Sequence, residues 1–239
     1  MSDGATIKGI LFDKDGTLLD YYATWMPVNL AAALAASRGD RRLAERLLAA
    51  GGFDPKSGRI AAGSPLAAGG TREIATVFAA HLPGRTVDSL VPEIDAIFIE
   101  GGREQGVAVP GLTATMRRLK ARGLKLGVAT SDSEAGAHGS LAPFQVLEMM
   151  DFIAGYDSGF GVKPHPGALE GFCRATGLIA REVAVVGDNL HDLQMGRAGG
   201  SGLVVGVLTG TSERHELAPH ADHVLHSIAD LEALLKFLV

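Results

Sequence analysis

Apolar residues follow two patterns along the chain, and the two patterns predict different structures. Short apolar runs bounded by turn residues, which are typical of buried strands, occur near the N-terminus and again in the second half. The predicted strands are Ile10–Phe12, Leu124–Ala129, Phe152–Ile153, Val183–Val186, Leu203–Val207 and, at an edge, His223–Leu225. Because helical patterns separate these runs, we predict right-handed crossover connections and an α/β class with a Rossmann-like parallel sheet.

The helices between the later strands are predicted from apolar residues at helical spacing. Thr113 is a candidate N-cap for a helix that runs to Arg122, and another helix continues through Leu141 to Met150. Three further helices are expected at residues 167–176, 192–198 and 228–238.

Residues 20–105 have a different character, because alanine-rich helical patterns replace the strand pattern. Four or five helices are expected there, including residues 27–37, 41–50, 72–82 and 87–104, with Asp40 as the N-cap of the second. Residues 54–63 are rich in Gly, Pro and Ser and predict a loop. We therefore predict an α/β core of residues 1–19 and 106–239, with a small α-helical domain of residues 20–105 inserted after the first strand.

Composition excludes several classes of protein. The net charge of −5 gives no basic surface for nucleic acid. No apolar stretch approaches the roughly 20 residues of a membrane span, and no signal peptide is visible. Cys173 is the single cysteine, which excludes an internal disulfide and suits a reducing compartment. We expect a cytoplasmic chain that binds neither nucleic acid nor membrane; its oligomeric state stays open.

Polar residues follow four of the predicted strands. Asp13 and Asp15 come after the first, Thr130 after the second, Lys163 in the loop after the third, and Asp188 after the fourth. Carboxyl ends of parallel strands share one edge of a sheet, where ligands bind. Buried carboxylates there need a cation or strong donors. The pattern therefore favours a metal-assisted site, although Asp and Gly also suit an ordinary exit from a strand.

Each of the other candidates also has an ordinary interpretation. Asp188 and Asp192 could simply complement the dipole at a helix N-terminus. Thr130 and Ser131 could cap a helix, or their hydroxyl and N–H groups could bind an anion. A single Lys163 is usually a solvated loop residue.

Four motifs, in this order and spacing, resemble the haloacid-dehalogenase-like hydrolase superfamily over essentially the whole chain. They are Asp13-Lys14-Asp15-Gly16-Thr17, Val128-Ala129-Thr130-Ser131, Lys163-Pro164, and Gly187 to Asp192. The helical insertion looks like the α-helical cap of that superfamily. Within it, the chain is most similar to phosphoglycolate-phosphatase-like enzymes.

The resemblance implies a phosphatase that acts on a small phosphorylated metabolite. Asp13 would be the nucleophile that forms an aspartyl-phosphate. Asp15 would protonate the leaving alkoxide and then take a proton from water. Lys163 would keep Asp13 ionised and neutralise phosphate charge, and Thr130 and Ser131 would bind phosphate oxygens.

The resemblance also implies a Mg²⁺ cofactor, which prefers oxygen ligands. Asp13 and Asp188 would supply side-chain oxygens and Asp15 its backbone carbonyl. Asp192 would hold the metal or its waters from outside the ligand set.

Three other functions share this layout. A phosphomutase of the β-phosphoglucomutase type uses the same core but protects the phospho-aspartate from water. A dehalogenase would need neither a metal nor Asp15, whose presence therefore favours phosphoryl transfer. A non-enzymatic module would be expected to have lost part of the residue set.

Lys14 departs from the resemblance, because many relatives carry an apolar residue at this position. We expect it to alter no catalytic group, although it could affect the mouth of the site. Tyr21, Tyr22 and Trp25 could hinge the insertion, touch substrate or only pack. Arg72 could bind a substrate carboxylate, but a surface position is the commoner case.

Overall fold

The computed structural model describes residues 6–237. The strands are β1 (Gly9–Phe12), β2 (Phe53–Asp54), β3 (Arg59–Ile60), β4 (Lys125–Ala129), β5 (Phe152–Ala154), β6 (Val183–Gly187), β7 (Leu203–Val207) and β8 (His223–Leu225). The helices are α1 (Tyr21–Ala36), α2 (Arg41–Ala50), α3 (Pro65–Ala68), α4 (Thr71–Ala79), α5 (Val87–Gln105), α6 (Leu112–Ala121), α7 (Glu134–Leu141), α8 (Gly167–Thr176), α9 (Leu190–Ala198), α10 (Arg214–Leu217) and α11 (Leu231–Phe237).

Within residues 6–237, six strands form one parallel sheet in the order β5-β4-β1-β6-β7-β8. This confirms the predicted α/β class and places β8 at an edge. In β1, Phe12 is paired with Val128 of β4 and Val186 of β6. The backbone N–H of the next residue, Asp13, donates to the carbonyl of Val186 at 2.8 Å. The register therefore brings the ends of the three central strands to the same level.

Apolar residues cover both faces of the sheet, because successive side chains of a strand point in opposite directions. Ile10 and Phe12 belong to a buried cluster that includes Met116 of α6. Leu11 belongs to a second cluster, with Phe172 of α8. Each of these side chains is fully buried, so β1 is the centre of the core.

Residues 20–105, the predicted insertion, contain α1 to α5 and a cluster of buried residues that includes Val28, Phe78 and Ile94. A Cβ added at Gly101 of α5 would lie 2.6 Å from a methyl group of Val28, so glycine allows α1 and α5 to approach closely. The division into core and insertion, with its boundaries, stays a prediction.

Several predicted elements need correction. The predicted loop at residues 54–63 overlaps the hairpin formed by β2 and β3. The helix predicted through Leu141 to Met150 ends at Leu141 and continues as two 3₁₀ turns. Pro143 lacks the backbone N–H that would continue the α-helix, and Gln145 takes a left-handed conformation with φ of 55°.

The predicted caps are confirmed in one case and wrong in another. Asp40 accepts a hydrogen bond from the backbone N–H of Leu43 and caps α2 as predicted. Thr113 lies inside α6, which begins after Gly111, and its hydroxyl donates to the carbonyl of Phe144 at 3.0 Å. A tertiary contact therefore uses the hydroxyl that the sequence assigned to the helix end.

Other helix ends differ by a few residues. α1 begins at Tyr21, six residues before its predicted start, because Asp20 caps it and Pro27 is tolerated inside it. α9 begins at Leu190, where Asn189 is the N-cap. Residues 1–5 of the predicted core and the predicted end of the closing helix at residue 238 lie outside the described residues. None of the helices in the described part of the chain has both the length and the hydropathy that crossing a bilayer requires.

Candidate active site

The sheet edge formed by the ends of β1, β4 and β6 lies beside a cavity of about 80 Å³. The cavity is lined by all the residues that the sequence proposed for the site: Asp13, Asp15, Thr130, Ser131, Lys163, Asp188 and Asp192. The insertion contributes Tyr21, Trp25, Asn29, Ile74 and Phe98 to the lining. The predicted convergence is therefore observed, while the role of each residue stays a proposal.

Lys163 lies between two buried carboxylates. Its Nζ donates to Asp13 Oδ1 and to Asp192 Oδ1, both at 2.6 Å. Only 6% of its side chain is exposed, so it is not a solvated loop lysine. Burial raises the pKa of Asp13 to about 6, and the charge of Lys163 limits the rise. Although burial disfavours the ammonium, Asp13 and Asp192 raise the pKa of Lys163 above its ordinary value.

Asp13 has one oxygen fixed and one free. Among the residues that the structure describes, nothing forms a hydrogen bond with its buried Oδ2. An unpaired carboxylate oxygen in a buried position is unfavourable, so its presence beside a cavity indicates that a ligand is expected there.

Two glycines allow the backbone to approach Asp188 closely. A Cβ added at Gly210 would lie 1.8 Å from Asp188 Oδ2, and one added at Gly16 would lie 2.6 Å from it. Gly16 also has a φ of +89°, which other residues rarely adopt. The same oxygen accepts a hydrogen bond from the N–H of Thr211 at 2.9 Å. Burial and the charges of neighbouring carboxylates raise the pKa of Asp188 well above its usual range.

Asp13, Asp188 and Asp192 each offer an oxygen, and these oxygens lie within 4.8 Å of one another. When ionised, the three carboxylates carry more negative charge than Lys163 can balance. Oxygen donors of this kind suit Mg²⁺. The free Oδ2 of Asp13 and the crowded carboxylates therefore fit a divalent cation.

Asp192 has a structural role as well. Its Oδ2 accepts from the N–H of Asn189 at 3.0 Å, which completes a capping box at the start of α9. The helix N-terminal interpretation is thus confirmed for Asp192, and its Oδ1 is held by Lys163. Because both of its oxygens accept hydrogen bonds, Asp192 is better placed to orient Lys163 than to coordinate a metal directly.

Thr130 and Ser131 do not cap the following helix. The N-cap of α7 is Ser133, whose hydroxyl accepts from the N–H of Gly136 at 3.0 Å. Thr130 Oγ1 accepts from the N–H of Asp132 at 3.1 Å, which leaves its own proton available. The capping interpretation is therefore wrong for Thr130 and Ser131, and both remain candidates for binding an anion.

Lys14 is expected from the sequence to alter no catalytic group, but the structure places it in contact with Asp15, a candidate catalytic residue. The Lys14 side chain is fully buried, and its Nζ lies 3.0 Å from Asp15 Oδ1 and 2.9 Å from Asp15 Oδ2. The same nitrogen donates to Asp132 and Ser140. Burial raises the pKa of Asp15 to about 6, with Lys14 acting in the opposite direction. Lysine is usually found at the surface, so the residue type does not predict the buried contacts of Lys14 with Asp15, Asp132 and Ser140.

The three aromatic residues at the start of the insertion have different contacts. Trp25 Nε1 donates to Asp15 Oδ1 at 2.6 Å, which places Trp25 at the site. The Tyr21 hydroxyl donates to the carbonyl of Leu66, and the Tyr22 hydroxyl accepts from the N–H of Ile60 at 3.3 Å. Trp25 is therefore the aromatic residue that links the insertion to Asp15.

Arg72 lies outside this cavity. It lines an adjoining hollow of about 400 Å³, which shares Thr130, Ser131 and Lys163 with the cavity. Its side chain is 70% exposed and pairs with Asp88, whose Oδ1 lies 3.2 Å from Nη1. This favours the surface interpretation of Arg72.

Comparisons with known proteins identify the family of the chain. The family model of haloacid dehalogenase-like hydrolases matches residues 7–200. The chain is 30% identical over 231 residues to a phosphoglycolate phosphatase of Yersinia pseudotuberculosis, covering 94% of this chain and 91% of the relative. It is 35% identical over 123 residues to a pyrophosphatase of Halalkalibacterium halodurans, covering 51% of this chain and 56% of the relative.

The fold is also similar to that of solved structures. A predicted phosphoglycolate phosphatase from Haemophilus somnus superposes with a TM-score of 0.75 at 18% identity, covering 96% of this chain and 98% of the other. This similarity of fold agrees with the match of the family model over most of the chain. The chain belongs to the haloacid dehalogenase-like hydrolases.

Proposed function

We propose that the chain is a Mg²⁺-dependent phosphatase that hydrolyses a small phosphomonoester through an aspartyl-phosphate on Asp13. The observation that carries this proposal is the asymmetry of the Asp13 carboxylate. Lys163 fixes Oδ1, whereas the buried Oδ2 has no hydrogen-bond partner among the described residues and belongs to a side chain that lines the cavity. The names of the relatives also support phosphatase chemistry.

Attack by a carboxylate on a phosphate dianion is repulsive. At ~3.5 Å and an effective dielectric constant of ~20, each pair of unit charges costs about 5 kcal/mol. Lys163 offsets part of this repulsion, since its ammonium touches Asp13. When bound, Mg²⁺ would supply further positive charge to the phosphate oxygens. Asp13 and Asp188 would hold it with side-chain oxygens and Asp15 with its backbone carbonyl, while Asp192 would orient its surroundings.

Asp15 is the proposed general acid and base. It would give a proton to the leaving oxygen and then take one from the water that hydrolyses the aspartyl-phosphate. A pKa of about 6, raised by burial, suits a group that must both give and accept a proton near neutral pH. The hydroxyl of Thr130 and the backbone N–H of Ser131 would bind phosphate oxygens.

The phosphomutase alternative predicts a different fate for the intermediate. A mutase keeps its phospho-aspartate until a sugar phosphate has turned over in the site, whereas a phosphatase admits water. A dehalogenase would not need a general acid at Asp15, so the dehalogenase alternative gives no role to this residue or to its raised pKa.

Labelled water separates these functions. A panel that includes phosphoglycolate, pyrophosphate, sugar phosphates and nucleotides is incubated with and without Mg²⁺ in H₂¹⁸O, and the released phosphate is analysed by mass spectrometry. We expect one labelled oxygen per phosphate, no need for a bisphosphate primer, and faster turnover of phosphoglycolate than of nucleotides. An absolute requirement for a sugar bisphosphate, with isomerised sugar phosphate as the product, would contradict the proposal.

The approach of Gly210 to Asp188 gives a second prediction. In Gly210→Ala, the added methyl cannot remain 1.8 Å from Asp188 Oδ2, so the carboxylate or its loop must move. A displacement of about 1 Å in such a site can reduce turnover by roughly 10²-fold. The matched control is Gly139→Ala, whose methyl would have its nearest neighbour at 3.9 Å and which should keep full activity. Equal kcat values for the two variants would contradict the proposed role of Asp188 in turnover.

A further inference from the structure

Lys14 is one of the largest fully buried side chains of the protein. Burial of an ammonium group is costly unless its charge and all three of its protons find partners. Here the partners are the carboxylate of Asp15, Asp132 Oδ2 at 2.9 Å and Ser140 Oγ at 3.2 Å. The three N–H groups are therefore matched by three residues, the neighbouring Asp15 and two from the segment of α7.

The site thus contains two buried lysines, each between two carboxylates. Lys163 joins Asp13 to Asp192, and Lys14 joins Asp15 to Asp132. Lys163 has a role in the proposed function, because it contacts the proposed nucleophile, Asp13. Lys14 contacts Asp15, the proposed general acid and base, but Lys14 and Asp132 have no role in the proposed function.

We propose that Lys14 is a positioning residue that, anchored by Asp132 and Ser140, aims the Asp15 carboxylate at the leaving oxygen of the substrate. This inference rests on the proposed role of Asp15 as general acid and base. Lys14 reaches both carboxylate oxygens of Asp15, so it restrains the rotation of that group. Proton transfer needs such aim, since donor and acceptor must come within about 3 Å.

The anchor of Lys14 is itself rigid. Asp132 Oδ1 accepts from the N–H of Ser133 at 2.7 Å, while Oδ2 accepts from Lys14. Glycine at position 136 makes room for this carboxylate, because an added Cβ would lie 2.4 Å from Asp132 Oδ1. Ser140 donates in turn to the carbonyl of Gly136 at 2.9 Å. Lys14 is thereby tied to both ends of α7, through Asp132 just before the helix and Ser140 in its last turn.

The insertion completes the restraint of Asp15. Trp25 Nε1 donates to Asp15 Oδ1 at 2.6 Å, and the Trp25 ring lies with its centroid 5.0 Å from Lys14 Nζ. A cation at this distance from an indole ring is attracted to it. Asp15 is therefore held from the core by Lys14 and from the insertion by Trp25.

The test compares esters that differ in how much they need a proton. Ethyl phosphate releases an alkoxide that must be protonated, whereas 4-nitrophenyl phosphate releases a stable phenolate. The value of kcat/KM covers only the steps up to release of the alcohol. For Lys14→Met, we expect kcat/KM to fall about 10²-fold on ethyl phosphate and less than about threefold on 4-nitrophenyl phosphate.

Three variants accompany Lys14→Met. Asp15→Asn should show the same dependence on the leaving group, because it removes the general acid itself. Asp132→Asn offers one acceptor oxygen, whereas the N–H of Ser133 and the ammonium of Lys14 require two. Its kcat/KM should therefore fall several-fold more on ethyl phosphate than on 4-nitrophenyl phosphate. Lys8→Met removes a lysine that is 57% exposed and pairs with Glu182, and it should behave as the parent.

The outcomes separate the inference from the proposed function. The positioning role is wrong if the loss of kcat/KM in Asp15→Asn depends on the leaving group but Lys14→Met lowers kcat/KM equally on both esters or on neither. If Asp15→Asn itself loses activity equally on both esters, the proposed role of Asp15 fails. Circular dichroism checks folding, and if Lys14→Met does not fold, Asp132→Asn decides by the same comparison.

Discussion

Asp13→Asn should abolish turnover, by at least about 10⁴-fold, while the fold persists. The amide has nearly the shape of the carboxylate, and its oxygen can still accept a hydrogen bond from Lys163, but the amide cannot attack phosphorus. Acid-quenched enzyme analysed by mass spectrometry should carry one phosphoryl group on the peptide that contains Asp13. The variant should carry none.

A matched control shows that removing a carboxylate is not in itself harmful. Asp88→Asn replaces a side chain that is 83% exposed and pairs only with Arg72 in the contacts observed here, and it should retain full activity. Circular dichroism and a melting curve would establish that both variants are folded. If Asp13→Asn retained activity within tenfold of the parent, the covalent scheme would be wrong.

The sheet could be predicted from the sequence because its signal is local. β7, β8 and α8 have the predicted bounds, since turn residues or a glycine follow each apolar pattern. The site could be located for a related reason. Carboxyl ends of parallel strands meet at one edge, so Asp13, Thr130 and Asp188 had to converge once the strands were assigned.

The parts that could not be predicted depend on distant partners. Lys14 is buried only because Asp132 and Ser140, which lie 118 and 126 positions away in the sequence, complete its contacts. The same holds for Thr113, whose hydroxyl binds the carbonyl of Phe144 rather than the end of its own helix. Side-chain partners of this kind follow from packing, and no local pattern records them.

The short hairpin of β2 and β3 escaped prediction for another reason. Each strand has two residues, too few for an alternating pattern to be seen, and turn residues surround them. Ile60 nevertheless joins the buried cluster of the insertion. Tertiary packing thus gives order to a segment whose composition is typical of a loop.

Removal of divalent metal should abolish activity, and Mg²⁺ should restore it. Without a cation, Asp13, Asp188 and Asp192 repel one another in a buried cluster in which Lys163 is the ammonium that contacts Asp13 and Asp192. Mg²⁺ should therefore also raise the melting temperature, with a stabilisation of about 2.7 kcal/mol at a concentration 100 times its Kd. Ca²⁺ should inhibit, because its higher coordination number displaces Asp13.

The stability measurement makes the metal prediction independent of activity. Asp188→Asn removes the charge of a proposed metal ligand, so the rise in melting temperature with Mg²⁺ should shrink and require a higher concentration of the ion. Asp40→Asn, which changes the exposed N-cap of α2, is the matched control and should respond to Mg²⁺ as the parent does. Full activity in the presence of EDTA, with no effect of Mg²⁺ on melting, would instead assign the chain to metal-free chemistry of the dehalogenase kind. In that case the crowding of the three carboxylates would have to be relieved by protonation of Asp188, whose pKa burial and the neighbouring carboxylates raise well above its usual range.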